Sequence, residues 1–487
     1  MSRYDAIVVG AGAAGGWAAK ELSERGLSVA VLDAGPLVAA PEEDGLARRP
    51  IQSASYACTE QTAHLFVDET ENPYSTAPGS EYRWVRSRLV GGRLHVWGRT
   101  SPRMRDDELK AASADGVGVD WPLSAADLAP TYKRIEQFLD VRGGTLTRAE
   151  RALKQVIERR WPTRVVEPTP WACREPARPL QAALRTGRVA LLAETIAERV
   201  LVDDSGERAT GVGAVDRASR RRFEIEASAV VLCASALEST RILLNSTDRN
   251  HPDGLANSSG ALGRYLMDHT YGVLLEGHPP PRREPEYEPT SQGGYISGFR
   301  NVTEPHPEFV RGYGVEFQVI TRRRAAGRLR RRVKDDFWMS AFGEVLPDPD
   351  NRVELDREQP DAWGIPTLRI HARHGENERA MARDQARTLR EMLEAAGFEI
   401  TRENAELEPP GSSAHEMGTA RMGADPDTSV LNAHCQSWDV PNLFVGDAAA
   451  FPSSGHRNPT LTIMALAVRA CERLAAQLAS GFDARAT

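Results

Sequence analysis

The stretch YDAIVVGAGAAGGWAAKELSERGLSVAVLDAG, residues 4–35, constrains this chain more than any other. Ala6 to Val9 is a short apolar run, as a strand buried on both faces requires. Gly10, Gly12 and Gly15 follow in the pattern G-x-G-x-x-G. A helix is predicted from about Ala13 and stops at Gly26, a suitable residue just past a helix end. SVAVLD then reads as a second strand. The glycine pattern gains meaning in this strand–turn–helix–strand setting. Gly10 makes the tight turn, Gly12 lets backbone approach a pyrophosphate, and Gly15 lets helix and strand pack closely. The helix N-terminus, with Ala14 in its first turn, faces the phosphates. Asp33 ends the second strand and offers a carboxylate to ribose hydroxyls, with Ala34 beside it. No arginine follows directly, which argues against a 2′-phosphate and so against NADP. The fingerprint leaves FAD and NAD both open.

At 487 residues the chain is too long for one ordinary core, so two or three lobes are expected. A net charge of −7 gives no reason to expect a nucleic-acid partner. The five cysteines, Cys58, Cys173, Cys233, Cys435 and Cys471, include no C-x-x-C pair. A disulfide framework, a zinc site and a c-type haem are therefore unsupported, and no metal is expected. A reducing, cytoplasmic compartment fits best. The N-terminus enters a strand at once, and no run approaches the length of a membrane span.

Two later stretches return to the first lobe. RFEIEASAVVLCASALESTRILLN reads as two strands, a turn and a helix. PNLFVGDAAAFPSSGHRNPTLTIMALAVRACERLAAQLASG reads as a strand, a loop and a long amphipathic helix. The expected architecture is α/β: a doubly wound domain assembled from residues 1–105, 190–270 and 411–487. Residues 106–189 form a helical connecting region, with a surface helix from the capping-box pair Ser124 and Asp127 to Gly143. Residues 271–410 form an α+β domain with a mainly antiparallel sheet and one helix from Glu376 to Gly397. Ala382, Ala386, Leu389, Leu393 and Ala396 line one face of that helix. The basic run 322–334 reads as a solvated loop, with a lid or docking patch as the alternative.

Three further motifs carry a resemblance: VGGRLHVWGRTSPRM (Val90–Met104), SSAHEMGTARMG (Ser412–Gly423) and NLFVGDAAAFPSSGHRNPTLT (Asn442–Thr462). With the N-terminal fingerprint they resemble the glucose–methanol–choline (GMC) FAD oxidoreductases. Within these they are most similar to the pyranose oxidase and bacterial glycoside 3-oxidase branch. The resemblance implies a Rossmann-like FAD domain joined to a substrate domain. It implies oxidation of an alcohol to a carbonyl by hydride transfer to flavin N5.

Carried over by motif, the catalytic histidine falls on His415 and its partner on Asn458. The chemistry suits the pair: a neutral imidazole can take the alcohol proton, whereas a carboxamide can only donate to the oxygen and orient it. Asn458 precedes Pro459, and the pre-proline position also makes it a good helix N-cap. Pro459 and Thr460 open a helix whose positive end suits an anionic flavin. Gly91 and Gly92 should let the loop wrap the flavin, with Arg88, His95, Trp97 and Gly98 as further contacts. A flavin-linking histidine of the pyranose oxidases falls on Val96, so the FAD is expected to be non-covalent. A threonine of those oxidases falls on Gly98, a departure that weighs against efficient use of O2. Val200, Ala234, Asp447 and Ala448 are expected to touch the rest of the cofactor. His456 is a substrate-facing candidate or a local hydrogen-bonding residue. His269, in LMDHTYG, is read as structural.

The leading reading is oxidation of a sugar, glycoside or related polyol. A separate electron acceptor is then needed: O2, a quinone or a redox protein. The alternatives are primary-alcohol oxidation on an aminoglycoside-like sugar, a redox-neutral lyase on the same fold, and a flavin-binding protein without turnover.

Overall fold

Three distant segments of the chain meet in one parallel sheet. The computed structural model describes residues 3–37, 58–59, 62–174, 178–281, 291–320 and 335–480. The strand Ala6–Val9 is central. Val29–Leu32 lies on one side of it and Val230–Leu232 on the other. Val189–Leu192 extends the first side and Leu443–Val445 the second, all parallel. The inner strands are apolar throughout and buried on both faces, as a parallel sheet covered by helices demands. The helix Ala13–Glu24 lies against Thr460–Ser480 and Arg178–Arg185.

The helix Ala125–Leu139 is not merely a surface element. Leu128, Tyr132, Ile135 and Leu139 are buried in the core of the parallel-sheet lobe. The Tyr132 hydroxyl meets Thr462 Oγ1 at 2.8 Å. Its Ser124–Asp127 capping box forms as expected, but the helix ends at Asp140, which takes φ 53°, rather than at Gly143. Its apolar face is what draws it inward.

A second sheet is antiparallel. Its order is Glu399–Asn404, Leu274–His278, Asp336–Glu344, Tyr313–Ile320, Gly294–Ile296 and Val166–Pro168. The short strand His269–Thr270 pairs with the end of Asp336–Glu344. One face packs Val315, Val319, Phe337, Met339 and Ala341 against Met381, Leu389 and Met392 of the helix Glu376–Ala395. The opposite face carries Leu274, Glu276, Glu316, Gln318, Trp338, Ser340, Phe342, Arg402 and Asn404, and it lines a cavity. Strand alternation assigns these residues to one side.

Residues 271–410 do not form one unit. Arg352–Pro360 and Pro366–His371 pair with each other, and the latter pairs with Ser75–Thr76, in a separate small sheet. That sheet packs Val353, Leu368 and Ile370 on Leu237 of the parallel-sheet lobe. Conversely, Val166–Pro168 joins the antiparallel sheet from outside the range 271–410. The basic run 322–334 lies outside the described residues. Among the described residues no helix is long and apolar enough to cross a membrane.

Candidate active site

A cavity of about 740 Å³ runs from the glycine turn to the antiparallel sheet. This is within the range of ligand-binding cavities, roughly 300–1,000 Å³. At one end lie Gly10, Gly12 and Ala14. Gly10 takes φ +98°, and a Cβ there would meet the Cys233 carbonyl oxygen at 2.4 Å. Gly15 lies outside the lining, where a Cβ would meet the Gly10 carbonyl oxygen at 1.8 Å, so it serves packing alone. Gly12 differs: the nearest atom to an added Cβ is the Gly91 oxygen at 3.9 Å. The backbone here is open to a ligand, and the first N–H groups of the helix behind it have no helical carbonyl to bond.

Asp33 and Ala34 line the same end. Asp33 accepts the Ala11 N–H through Oδ2 and the Gly35 N–H through Oδ1, each at 2.9 Å. Burial pushes its carboxyl up to about 6, against the pull of these N–H groups. Each oxygen keeps a lone pair for a hydroxyl. Asp447, also in the lining, accepts from Ser239 Oγ at 2.6 Å and from the Ala449 N–H at 2.9 Å. Ala234, Ala448, Pro459, Thr460, Gly92, Trp97 and Gly98 complete this part of the wall.

Four expected contacts, Val200, His95, Gly91 and His456, lie elsewhere. Val200 is buried in its strand and spends its N–H on Ser246 Oγ at 2.8 Å; Thr195, Ile196, Ala197 and Glu198 of the same strand line the cavity instead. His95 turns back and places Nε2 at 2.9 Å from the Val90 carbonyl oxygen, under Gly91. Gly91, at φ +100°, makes room for that ring, which an added Cβ would meet at 2.7 Å. His456 is buried away from the cavity: the Gly298 N–H donates to its Nε2 at 2.9 Å and Glu108 faces its Nδ1 at 3.3 Å. The close approach of the Gly298 backbone and a buried Glu108 decide its role, and neither is visible as a motif.

The far end of the cavity holds His415 and Asn458. Two chain segments place His415. Met267 and Met417 exchange both backbone hydrogen bonds at 2.9 Å, which lays LMDHT beside HEMGT. Gly418 is required there, since a Cβ would meet the Tyr265 carbonyl oxygen at 2.0 Å. Ala414, just before the histidine, holds a left-handed φ of 58°. Asp268 fixes the turn by accepting the His415 N–H at 3.0 Å and the Ser413 hydroxyl. Arg93 donates to the Ala414 carbonyl at 2.6 Å and pairs with Glu416 at 2.7 Å.

The result is an imidazole pair: His269 Nδ1 sits 3.0 Å from His415 Nδ1. Burial lowers both rings, His269 to about 4 and His415 well below the usual histidine range, where His269 and Arg93 push it further. Both rings are therefore neutral at pH 7, and their contact holds one hydrogen. With that hydrogen on His415 Nδ1, the lone pair lies on His415 Nε2, as a general base requires.

Asn458 does not cap the helix. The helix runs Thr460–Ser480, and the Pro459 carbonyl accepts the Ile463 N–H at 2.9 Å. Among the described residues the Asn458 carboxamide has no hydrogen-bond partner. A cavity-facing amide without a partner suits a ligand better than a cap.

The residues fit a flavin dinucleotide. Arg88 pairs with Glu238 at 3.8 Å but leaves Nη1 buried and unpartnered on the cavity wall. The Trp97 indole N–H on the same wall is likewise unpartnered. Buried donors of this kind call for an acceptor. The open Gly12 backbone offers the third element of a phosphate cradle.

Fold and site together define an enzyme with a nucleotide cofactor, whose cradle opens directly onto an imidazole–carboxamide pair. Family models described as GMC oxidoreductase match residues 177–271 and 347–467. The 2-methyl-1,2-propanediol dehydrogenase of Mycolicibacterium austroafricanum is 28% identical, covering 99% of this chain and 97% of that protein. The paromamine 6'-oxidase of Streptomyces fradiae is 26% identical over 98% of this chain and 92% of its own. The C-glycoside 3-oxidase of Arthrobacter globiformis is 28% identical over 98% and 97%. The crystal structure of pyridoxine 4-oxidase from Mesorbium loti superposes with a TM-score of 0.66 at 19% identity, over 97% of this chain and 99% of that one. This chain belongs to the GMC oxidoreductase family and is an oxidoreductase.

Proposed function

We propose that the protein binds FAD non-covalently and oxidises an alcohol of a sugar, glycoside or related polyol to a carbonyl. When bound, FAD supplies a hydride acceptor. His415 Nε2 takes the hydroxyl proton, and Asn458 donates to the same oxygen and orients it. The observation that carries this reading is the shared wall: the neutral imidazole and the unpartnered carboxamide lie in one cavity with the open Gly12 turn. Non-covalent attachment is supported by Val96 on that wall, with the neighbouring His95 bonded to Val90 instead. In this reading the discontinuous parallel-sheet lobe holds the cofactor in a Rossmann-like manner, and the antiparallel sheet faces the substrate. The relatives' sugar and diol substrates support a polyol here, and O2, a quinone or a redox protein serves as separate acceptor.

The test is anaerobic mixing with a panel of sugars, glycosides and diols while following the flavin band near about 450 nm, which falls on hydride transfer. Bleaching by at least one alcohol is expected, and reoxidation by O2 or a quinone then identifies the acceptor. A redox-neutral lyase, or a flavin protein without turnover, would leave the band unchanged with every alcohol.

A further inference from the structure

We propose that Glu316 is the substrate-recognising carboxylate of this cavity, and that the alcohol it selects carries a protonated amine. The inference rests on the alcohol-oxidising reading above and narrows its substrate. Glu316 lies on Tyr313–Ile320, opposite Ser340 of the neighbouring strand. Its side chain is on the cavity face, two residues in register from Phe342. The Phe342 ring is 6.5 Å from the His415 ring, so Glu316 belongs to the reacting end.

The other acids at this end are already paired. Glu276 meets Arg402 at 3.1 Å, Glu408 meets Arg83 at 2.5 Å, and Glu416 meets Arg93 at 2.7 Å. Among the described residues Glu316 has no hydrogen bond and no ion pair, and its Oε1 is buried without a partner. Burial alone pushes its carboxyl up to about 7, with no cation near enough to oppose it. An unpaired acid enclosed in this way is costly to ionise, and a cation brought in by the ligand relieves that cost. A neutral hydroxyl would bond the carboxylate but leave its charge uncompensated.

A second feature favours the same group. Trp338 stands diagonally from Glu316 on the cavity face, opposite Gln318. Its indole N–H donates to Gln318 Oε1 at 3.3 Å, which holds the ring beside the acid. An ammonium group between a carboxylate and an indole face gains from both.

The experiment compares matched alcohols with and without a primary amine: glucosamine against glucose, and 3-amino-1,2-propanediol against glycerol. Anaerobic flavin reduction gives the half-saturation concentration for each, and calorimetry gives binding independently of turnover. The wild-type holoenzyme is expected to favour the amine by about 10- to 100-fold, the usual effect of a buried charge pair. Glu316→Gln keeps the shape and removes the charge, so it should bring the two members of each pair within about threefold, well inside one decade of affinity. FAD content and melting temperature confirm that the variant is folded. Equal half-saturation for both members in the wild type, or a preference that survives Glu316→Gln, overturns the proposal while leaving alcohol oxidation intact. If no alcohol reduces the flavin, the oxidation reading fails; calorimetric preference for the amine, lost in Glu316→Gln, would then still uphold the recognition site, and its absence would sink it.

Discussion

His269 Nδ1 and His415 Nδ1 face each other at 3.0 Å. A neutral imidazole has one donor and one acceptor, so when His415 Nδ1 donates across this contact its Nε2 is the acceptor. The contact also fixes the ring plane. His269→Ala should therefore slow anaerobic flavin reduction by about 10- to 100-fold, the size seen when the partner that orients a working imidazole is lost. The ring is a positioning residue, so rate alone does not identify its role. His269 also lowers the His415 pKa. Its removal should move the acid limb of the pH profile upward, toward the ordinary histidine value of about 6.5. A slower enzyme with an unmoved acid limb would reduce His269 to packing.

The pH dependence of the wild type follows from the same burial. In the proposed mechanism the working form of His415 is neutral. Its folded pKa lies well below the usual value, so the neutral form dominates at and above about pH 6.5. Flavin reduction should be flat from pH 8 down through about 6.5 and fall only on further acidification, as protonation removes the base. A pre-steady-state profile that already halves near neutrality would contradict this. His415→Ala should retain FAD and lose reduction by about 10²–10⁴-fold, the usual contribution of a general base.

Asn458 separates two roles that its position before Pro459 allows. As a helix cap, its loss would cost about 0.5–2 kcal/mol of stability. The structure gives its carboxamide no backbone partner, and the helix begins at Thr460. Asn458→Ala should thus leave the melting temperature within about 1 °C of wild type, since no hydrogen bond is removed. Flavin reduction should still slow by about tenfold or more, as one substrate hydrogen bond of roughly 1.5 kcal/mol is lost. Thermal unfolding and stopped-flow reduction of the same preparation provide the comparison. A clear drop in melting temperature at unchanged rate would restore the cap.

Legibility in the sequence tracked locality. The parallel sheet could be read because each strand is a short apolar run beside a glycine turn, and Gly10, Gly12 and Gly15 carry their reasons in their spacing. The Ser124–Asp127 capping box and the helix from Glu376 were equally local. His415 was legible only through a motif. Its partner His269 was not, because their contact depends on a backbone bridge between Met267 and Met417, 150 residues apart. Glu316 was hidden for a similar reason: which face of its strand meets the cavity depends on pairing with Ser340 and on what covers the other side. His456 misled because a histidine beside Asn458 looks available, whereas Glu108 and the Gly298 N–H, both far away in sequence, hold it inside. The range 271–410 looked continuous because alternation marks strands without saying which sheet they join.

The glycines of the first turn should respond differently to the same methyl group. A Cβ on Gly15 would lie 1.8 Å from the Gly10 oxygen, a backbone atom that cannot move without separating helix from strand. Gly15→Ala should fail to give stable protein. A Cβ on Gly12 finds no protein atom closer than 3.9 Å, so the polypeptide fold tolerates it. The methyl would instead occupy the space through which the pyrophosphate approaches the backbone. Gly12→Ala should fold normally by far-UV circular dichroism yet purify without the yellow flavin, with FAD affinity reduced by about 10²-fold or more, as expected when a close backbone approach worth roughly 3 kcal/mol is blocked. Titration with FAD, followed by quenching of flavin fluorescence, measures that loss. Full FAD occupancy in Gly12→Ala would mean that the cofactor is cradled elsewhere in the cavity, and the assignment of the glycine turn to its phosphates would fall with it.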